Sequence, residues 1–371
     1  MVKINIVKKS FIFFKIFLTT LLTFFILDLI IGNYVYKKIL RKNFIDVDTN
    51  MGRIHPVYNR ALKKNYNTLS AGWGPRRYTF CTDNFGFRNF CGKKYSNKEF
   101  DLGIIGDSQT AGTGFNFEDT FSTLIANDLK TKKIANLAVS MYSGSVYYSK
   151  IKYLLKNNFS FKEIIVFFDV SDFNDDTVLY NLKNDVVSIN YLNLEENYSF
   201  NEKLMIFLNK RFKTTAYLVS FSNELLISNN LKERRIPHWV ENNPRSNWTS
   251  NYDKSWYLNK ELDQVTNHSL EIMDNLYELL KEKNIKLSIG VFPWPGNLKY
   301  DSENNLHVQI WEDFCLTRCK KFYNLMKPFY ELKKEIGYKK LYFKSYIHGD
   351  VHFNEFGHKL IAENFLKEYK K

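Results

Sequence analysis

Short apolar runs alternate with stretches of helical spacing along most of this chain, and that rhythm leaves few folds open. Leu102 to Ile105 reads as a short buried strand that breaks at Gly106-Asp107-Ser108. Asp119 to Lys130 follows, with Phe121, Leu124 and Ile125 on one helical face. Strand Lys133–Val139 leads to helix Val146–Lys156, and strand Glu163–Val170 comes next. After an interruption the rhythm resumes with helix Trp256–Lys283, strand Lys286–Phe292, helix Leu306–Lys327, a last strand at Leu341–Phe343 and helix Glu355–Tyr369. Such alternation predicts a parallel sheet with helices on both faces, wound through right-handed crossovers.

Ser108 then stands at the carboxyl end of a strand and just before a helix, where α/β sheets place their ligands. Nearby glycines allow a tight turn and the close approach of a substrate. The block Gly106-Asp107-Ser108-Gln109-Thr110-Ala111-Gly112 resembles the first block of the SGNH (GDSL-like) hydrolases, and Gly349-Asp350-Val351-His352-Phe353-Asn354-Glu355-Phe356-Gly357-His358 resembles their last. Those proteins are esterases, lipases and carbohydrate O-acyl esterases or transferases on a flavodoxin-like sheet. The resemblance implies the same fold here, over about Phe100–Tyr180 and Lys286–Tyr369, with no cofactor.

It also implies roles. Ser108 would attack an acyl carbonyl, His352 would take its proton, and Asp350 would orient the imidazole. The commoner family spacing is Asp-x-x-His, and Gly349 occupies that Asp position, so Asp350 gives Asp-x-His instead, as in alginate-type O-acetyltransferase relatives. A dyad of Ser108 and His352, oriented by a backbone carbonyl, is the alternative. The oxyanion hole needs donors aimed at the developing charge. The resemblance implies the Ser108 N–H first. The second donor falls within Asn136–Gly144, at Met141 without a gap or Gly144 with one. The third falls within Asp169–Asp175, at Ser171 by register or at Asn174 by chemistry. His348 and His358, with Asp350 and His352, could suggest a metal site, but His358 lies in the first turn of a helix that closes the fold, and no metal is expected.

The N-terminus carries a different signal. From Ile16 to Tyr36 the only charge is Asp28, and about 21 residues at 1.5 Å each span about 30 Å, a bilayer core. No small-residue cleavage site follows, so the expectation is an uncleaved transmembrane anchor. Asp28 would cost about 3 kcal/mol at the centre of the bilayer. Lys3, Lys8, Lys9 and Lys15 on one side nearly balance Lys37, Lys38, Arg41 and Lys42 on the other. A single N-terminal anchor before a large domain favours that domain outside the cytoplasm, periplasmic or extracytoplasmic.

The expected organisation is a tip and anchor over residues 1–42, a stalk and lead-in over 43–99, and a hydrolase-like domain over 100–371 with an insert at about 172–253. The stalk is the polar Asn43–Arg60. Tyr78–Arg88 alternates like a strand and turns at Asp83-Asn84. The insert holds a helical stretch, Asn201–Leu226, then an irregular segment with Lys232–Arg235, Trp239 and Trp248, with Trp256 just beyond. Its Trp faces either stack on sugar rings or pack the insert. Cys81 and Cys91 flank a turn and can bridge, as suits an oxidising compartment, whereas Cys315 and Cys319 read as free, buried thiols.

The net charge of +14 comes from Lys spread along the chain, without a basic run or nucleic-acid module. The expected partners are an acyl ester or polysaccharide substrate, a lipid bilayer and a membrane acyltransferase that would supply acyl groups, with no nucleic acid. Two further readings stand beside the enzyme: a catalytically silent carbohydrate-binding or polysaccharide-assembly protein, and a nucleotide-binding turn. The turn lacks Gly-Lys-Ser/Thr, which removes the lysine that phosphates need.

Overall fold

The structure is a computed structural model, and it describes residues 2–36, 50–73, 76–130, 132–190, 200–219, 222 and 235–371. The stalk positions 43–49, the basic residues 37, 38, 41 and 42, positions 232–234, and residues 220–221 and 223–226 of the expected insert helix lie outside these. The chain forms two compact units, one of residues 1–46 with 195–234, the other of 47–194 with 235–371.

In the first unit, helix α1 spans Val2–Val35. Its run from Phe11 to Val35 is long and apolar enough to cross a membrane, and starts earlier than the Ile16 expected from sequence. The insert contributes a helix at Phe200–Arg211 and helical residues at 213–219.

The second unit opens with two hairpins. Strands β1 (Gly52–His55) and β2 (Asn59–Leu62) pair, so part of the expected stalk is regular structure. Strands β3 (Asn67–Trp73) and β4 (Arg76–Cys81) form the second hairpin. Then comes the main sheet, beginning at β5 (Glu99–Gly106), whose Leu102, Ile104 and Ile105 are buried. The short helix α2 (Ser108–Ala111) and the longer α3 (Phe121–Asp128) lead to β6 (Ile134–Asn136). Helix α4 (Gly144–Lys156) leads to β7 (Ser160–Phe167). A small hairpin of β8 (Tyr180–Lys183) and β9 (Val186–Ile189) follows. Helix α5 (Leu262–Glu282), β10 (Lys286–Val291), α6 (Leu306–Arg318) and β11 (Lys321–Asn324) complete the sheet. Helices α7 (Tyr338–Ser345) and α8 (Glu355–Tyr369) close the chain.

The five strands lie in the order β6-β5-β7-β10-β11, all parallel. Counted along this sheet alone the order is 2-1-3-4-5, the flavodoxin-like arrangement. Helix α3 packs on α8 and α4 on α5, as right-handed crossovers in that order require. The winding reverses between β5 and β7, so the crevice at their carboxyl ends is the topological switch point.

Three sequence expectations are corrected. The fifth strand is Lys321–Asn324, and Leu341–Phe343 lies inside α7. A three-residue apolar run has no readable period, and here Lys339, Lys340 and Lys344 around it favour helix. Helix α5 starts at Leu262 because Leu258 and Asn259 both take positive φ, 55° and 56°. Cys315 and Cys319 are bridged, as are Cys81 and Cys91. The helix ends at Arg318, Cys319 is extended (φ −96°, ψ 149°), and the two Cα atoms stand 4.5 Å apart, within the range a bridge spans.

Candidate active site

Asp107 begins the site. Its side chain caps α2, with Oδ1 accepting from the Gln109 N–H at 2.9 Å. This places Ser108 at the first helical position, where backbone N–H groups have no partner within the helix. Gly106 makes the turn possible, because a Cβ there would stand 2.2 Å from Thr110 Oγ1 and 2.8 Å from the Phe167 carbonyl. Gly112 ends α2 in the left-handed region at φ 71°.

The partner loop runs from Ile347 to Phe353 between α7 and α8, closed by the Tyr346–Phe353 bridge. Gly349 takes φ 74°, a turn conformation that an aspartate would strain into, and the next residue supplies the carboxylate. Asp350 Oδ1 lies 2.7 Å from His352 Nδ1 and also accepts from the Val351 and His352 N–H groups at 2.6 and 3.2 Å. His352 Nε2 lies 2.9 Å from Ser108 Oγ. Residues 244 positions apart therefore form one hydrogen-bonded chain: hydroxyl, imidazole, carboxylate.

Burial opposes charge on both Asp350 and His352, and their interaction overrides it. For Asp350, the hydrogen bond and charge of His352, then the Trp73 indole, hold the pKa below its usual value. For His352, the Asp350 hydrogen bond and charge, then the charges of Asp107 and Asp169, raise it above 6.5. Asp107 is itself pushed up to about 7 by burial and by the nearby Asp169. Ser108 Oγ donates to Asp107 Oδ2 at 2.9 Å, so Asp107 and His352 compete for one hydroxyl hydrogen.

Four contributors were not visible as site residues in sequence. Trp73 Nε1 donates to Asp350 Oδ2 at 2.5 Å, and its ring packs edge-on to His352 at 4.9 Å. Gln109, fully buried, donates to the Val351 carbonyl at 2.9 Å and accepts from the Phe353 N–H at 3.0 Å, tying the two ends of the chain together on either side of His352. Arg88, also buried, donates to the carbonyls of Ala111, Gly112 and Phe115 and so holds the loop after α2. Asp107 is the fourth.

The expected oxyanion donors divide. Met141 has φ 66°, a backbone shape that glycine takes without strain, which fits the ungapped alignment with the family glycine. Gly144 faces Asp176, Ile272 and Phe168, where an added Cβ would meet Asp176 Oδ2 at 2.8 Å. Asn174 Nδ2 is committed to the Trp256 carbonyl at 2.7 Å. Both the N–H and the hydroxyl of Ser171 go to Asp169 Oδ1 at 2.8 Å. Both donors of Ser171 are thus engaged by Asp169, and one donor of Asn174 by Trp256.

A cavity of about 510 Å³ adjoins the site, lined by Trp73, Thr113, Val139 and Ser140, with Arg53 and Arg60 further along. Thr113 and Ser140 hydrogen-bond each other at 2.9 Å. Oxygens of Asp107, Asp169 and Asp172 come within 4.8 Å of one another. Burial first, then mutual repulsion at Asp107 and Asp172, raises the pKa values of these acids above the ordinary carboxylate value. His358 accepts from the Phe121 N–H at 3.4 Å, and burial pushes it down to about 3, while His348 packs edge-on to Phe343. Of the tryptophans in and just beyond the insert, Trp248 is buried and donates to the Val170 carbonyl, whereas Trp239 and Trp256 are exposed.

Fold and site together define a flavodoxin-like α/β protein with a Ser–His–Asp chain at its switch point. No protein-family model and no curated protein matches the sequence. Among solved structures, the chain is similar to a member of the lipolytic G-D-S-L family from Veillonella parvula, at 10% identity over 73% of this chain and 98% of that one, with a TM-score of 0.39. A catalytic mutant of an acetylxylan esterase from Geobacillus stearothermophilus matches at 10% identity over 74% and 94%, TM-score 0.39. A psychrotrophic esterase from Pseudoalteromonas matches at 8% identity over 74% and 97%, TM-score 0.36. One of these is a lipolytic G-D-S-L protein and the other two are esterases.

Proposed function

We propose that this protein is a membrane-anchored serine esterase or O-acyltransferase that acts, through an acyl-Ser108 intermediate, on acylated carbohydrate outside the cytoplasm. The observation that carries the reading is the chain from Ser108 Oγ through His352 to Asp350, at 2.9 and 2.7 Å. Ser108 Oγ attacks the ester carbonyl while His352 Nε2 takes its proton. The carbonyl oxygen becomes an oxyanion facing the Ser108 N–H and the Met141 turn. Collapse expels the alcohol, which takes the proton back from His352. Water or a sugar hydroxyl, deprotonated by the same imidazole, then attacks the acyl carbonyl; the bond to Ser108 Oγ breaks and Ser108 takes the proton from His352. Two disulfides and the apolar α1 support a site beyond the cytoplasm. The exposed Trp239 and Trp256 support a sugar ligand.

A catalytically silent carbohydrate-binding protein is the second reading, favoured by the commitment of Asn174 and Ser171 to other partners. The full chain in detergent separates the two. Under the enzyme reading it releases acetate from a chromogenic acetyl ester, a fluorophosphonate labels Ser108, and Ser108→Ala abolishes nearly all of both. Equal rates in the two proteins favour the silent binder.

A further inference from the structure

A carboxylate inside an apolar helix needs a partner, and Asp28 has one. It lies on α1 seven residues, or about 10 Å, before the end of the apolar run at Val35. It is buried although most of α1 is exposed. Its Oδ1 accepts the Thr214 N–H at 2.9 Å, and its Oδ2 accepts the Thr215 N–H and hydroxyl at 2.8 and 2.6 Å. Residues 213–219 are helical, so Asp28 takes up the first backbone donors of that stretch as a capping side chain would, from another segment of the chain.

The surrounding contacts repeat the placement. Phe212 packs edge-on against Phe25 at 5.6 Å and Tyr217 against Tyr36 at 6.3 Å. Gly32 leaves the room: a Cβ there would lie 1.7 Å from Asp28 Oδ1 and 3.3 Å from Thr214 Oγ1. Residues 212–217 are thus joined to the last part of the apolar run, over positions 25–36. Leu204, Phe207 and Leu218 remain exposed on this segment, and Lys210 and Arg211 are exposed beside them. Exposed apolar side chains with adjacent cations, fixed to a spanning helix near its end, fit the interface of a bilayer with anionic head groups.

We infer that residues 200–219 form a second membrane contact, held against the anchor by Asp28 and seated in the interface of the bilayer that α1 crosses. Asp28 then has a positioning role and is no flaw in the anchor. The inference rests on α1 being a membrane anchor. It is tested on the full chain in vesicles of phosphatidylcholine and phosphatidylglycerol, with an environment-sensitive fluorophore at Phe207→Cys, Leu218→Cys or Phe17→Cys. The expected result is blue-shifted emission at 207 and 218, quenched by lipid carrying a nitroxide near its head group, and quenching at 17 by a nitroxide deep in the acyl chain. Quenching at 17 without quenching at 207 and 218 would overturn the inference and leave the anchor standing; no quenching at any of the three would remove both. Adding Asp28→Leu should abolish quenching at 218 and leave 17 unchanged. If 218 stays quenched in that variant, the Asp28 tether is wrong.

Discussion

Two stretches meet at the switch point and treat buried charge differently. In the His352 loop, Asp350 faces an imidazole, an indole and two backbone N–H groups, and it stays ionised, with its pKa lowered. After β7, Asp169, Asp172, Asp175 and Asp176 are buried together, and the guanidinium of Arg245 bonds only Asp175, at 2.7 Å. Burial raises all four, Asp175 to about 6 despite Arg245. The first stretch stores a charge ready to stabilise an imidazolium. The second crowds carboxyls where burial favours their neutral forms, and neighbouring hydroxyls donate to them, as the Tyr147 hydroxyl does to Asp172 Oδ2 at 2.7 Å. Similar residue types, one set in the loop before α8 and the other after β7, thus differ by what faces them.

The sharpest way to break the contrast is His352→Ala. Removing the base should lower kcat/KM by about 10³-fold on a chromogenic ester, with the fold retained by circular dichroism. Gln109→Leu comes next. It strands the buried Val351 carbonyl and Phe353 N–H, at about 1–3 kcal/mol for each group, so the urea midpoint should fall and kcat with it. Trp73→Phe keeps the ring against His352 and removes the donor to Asp350. We expect a roughly tenfold loss in kcat, about 1.4 kcal/mol, with an unchanged urea midpoint.

Smaller effects show in pH profiles. The base must be neutral and its pKa is raised, so kcat/KM should rise with pH through a midpoint above 6.5. Asp107→Asn removes one of the charges that raise it, so the midpoint should move to lower pH; an unmoved midpoint would show that Asp107 is uncharged in the working enzyme. Asp172→Asn should change least. The folded protein binds that proton more tightly than the unfolded chain, so Asp172 costs stability increasingly as pH rises above 3.8. The variant should therefore gain in urea midpoint relative to the parent at neutral and alkaline pH, and show no gain below about pH 4.

The sheet and the two ends of the site were legible because each is local. A strand broken by Gly-Asp-Ser and a loop carrying Asp-x-His state their geometry within a few residues, and α8 runs from Glu355 to Tyr369 as its spacing implies. The donors were not legible, because side-chain direction is a tertiary property. Asn174 offered the right amide, yet that amide turns to Trp256, 82 residues on. Trp73 meets Asp350 across 277 residues, and no local pattern marks either for the other. The fifth strand is hidden in sequence because Cys319 ends a helix by leaving it, so the one stretch of helical pattern, Leu306–Lys327, contains both a helix and a strand.

Arg88 and Trp73 both come from the segment ahead of β5, yet one grips the loop behind Ser108 and the other steadies Asp350. A fragment beginning at residue 99 would thus keep all five strands of the main sheet, together with the serine, histidine and aspartate, and still lose its bracing. Such a truncation should yield a soluble scaffold with intact motifs and little turnover. The compact unit that holds the serine, histidine and aspartate begins at Val47, well upstream of the part its motifs would nominate.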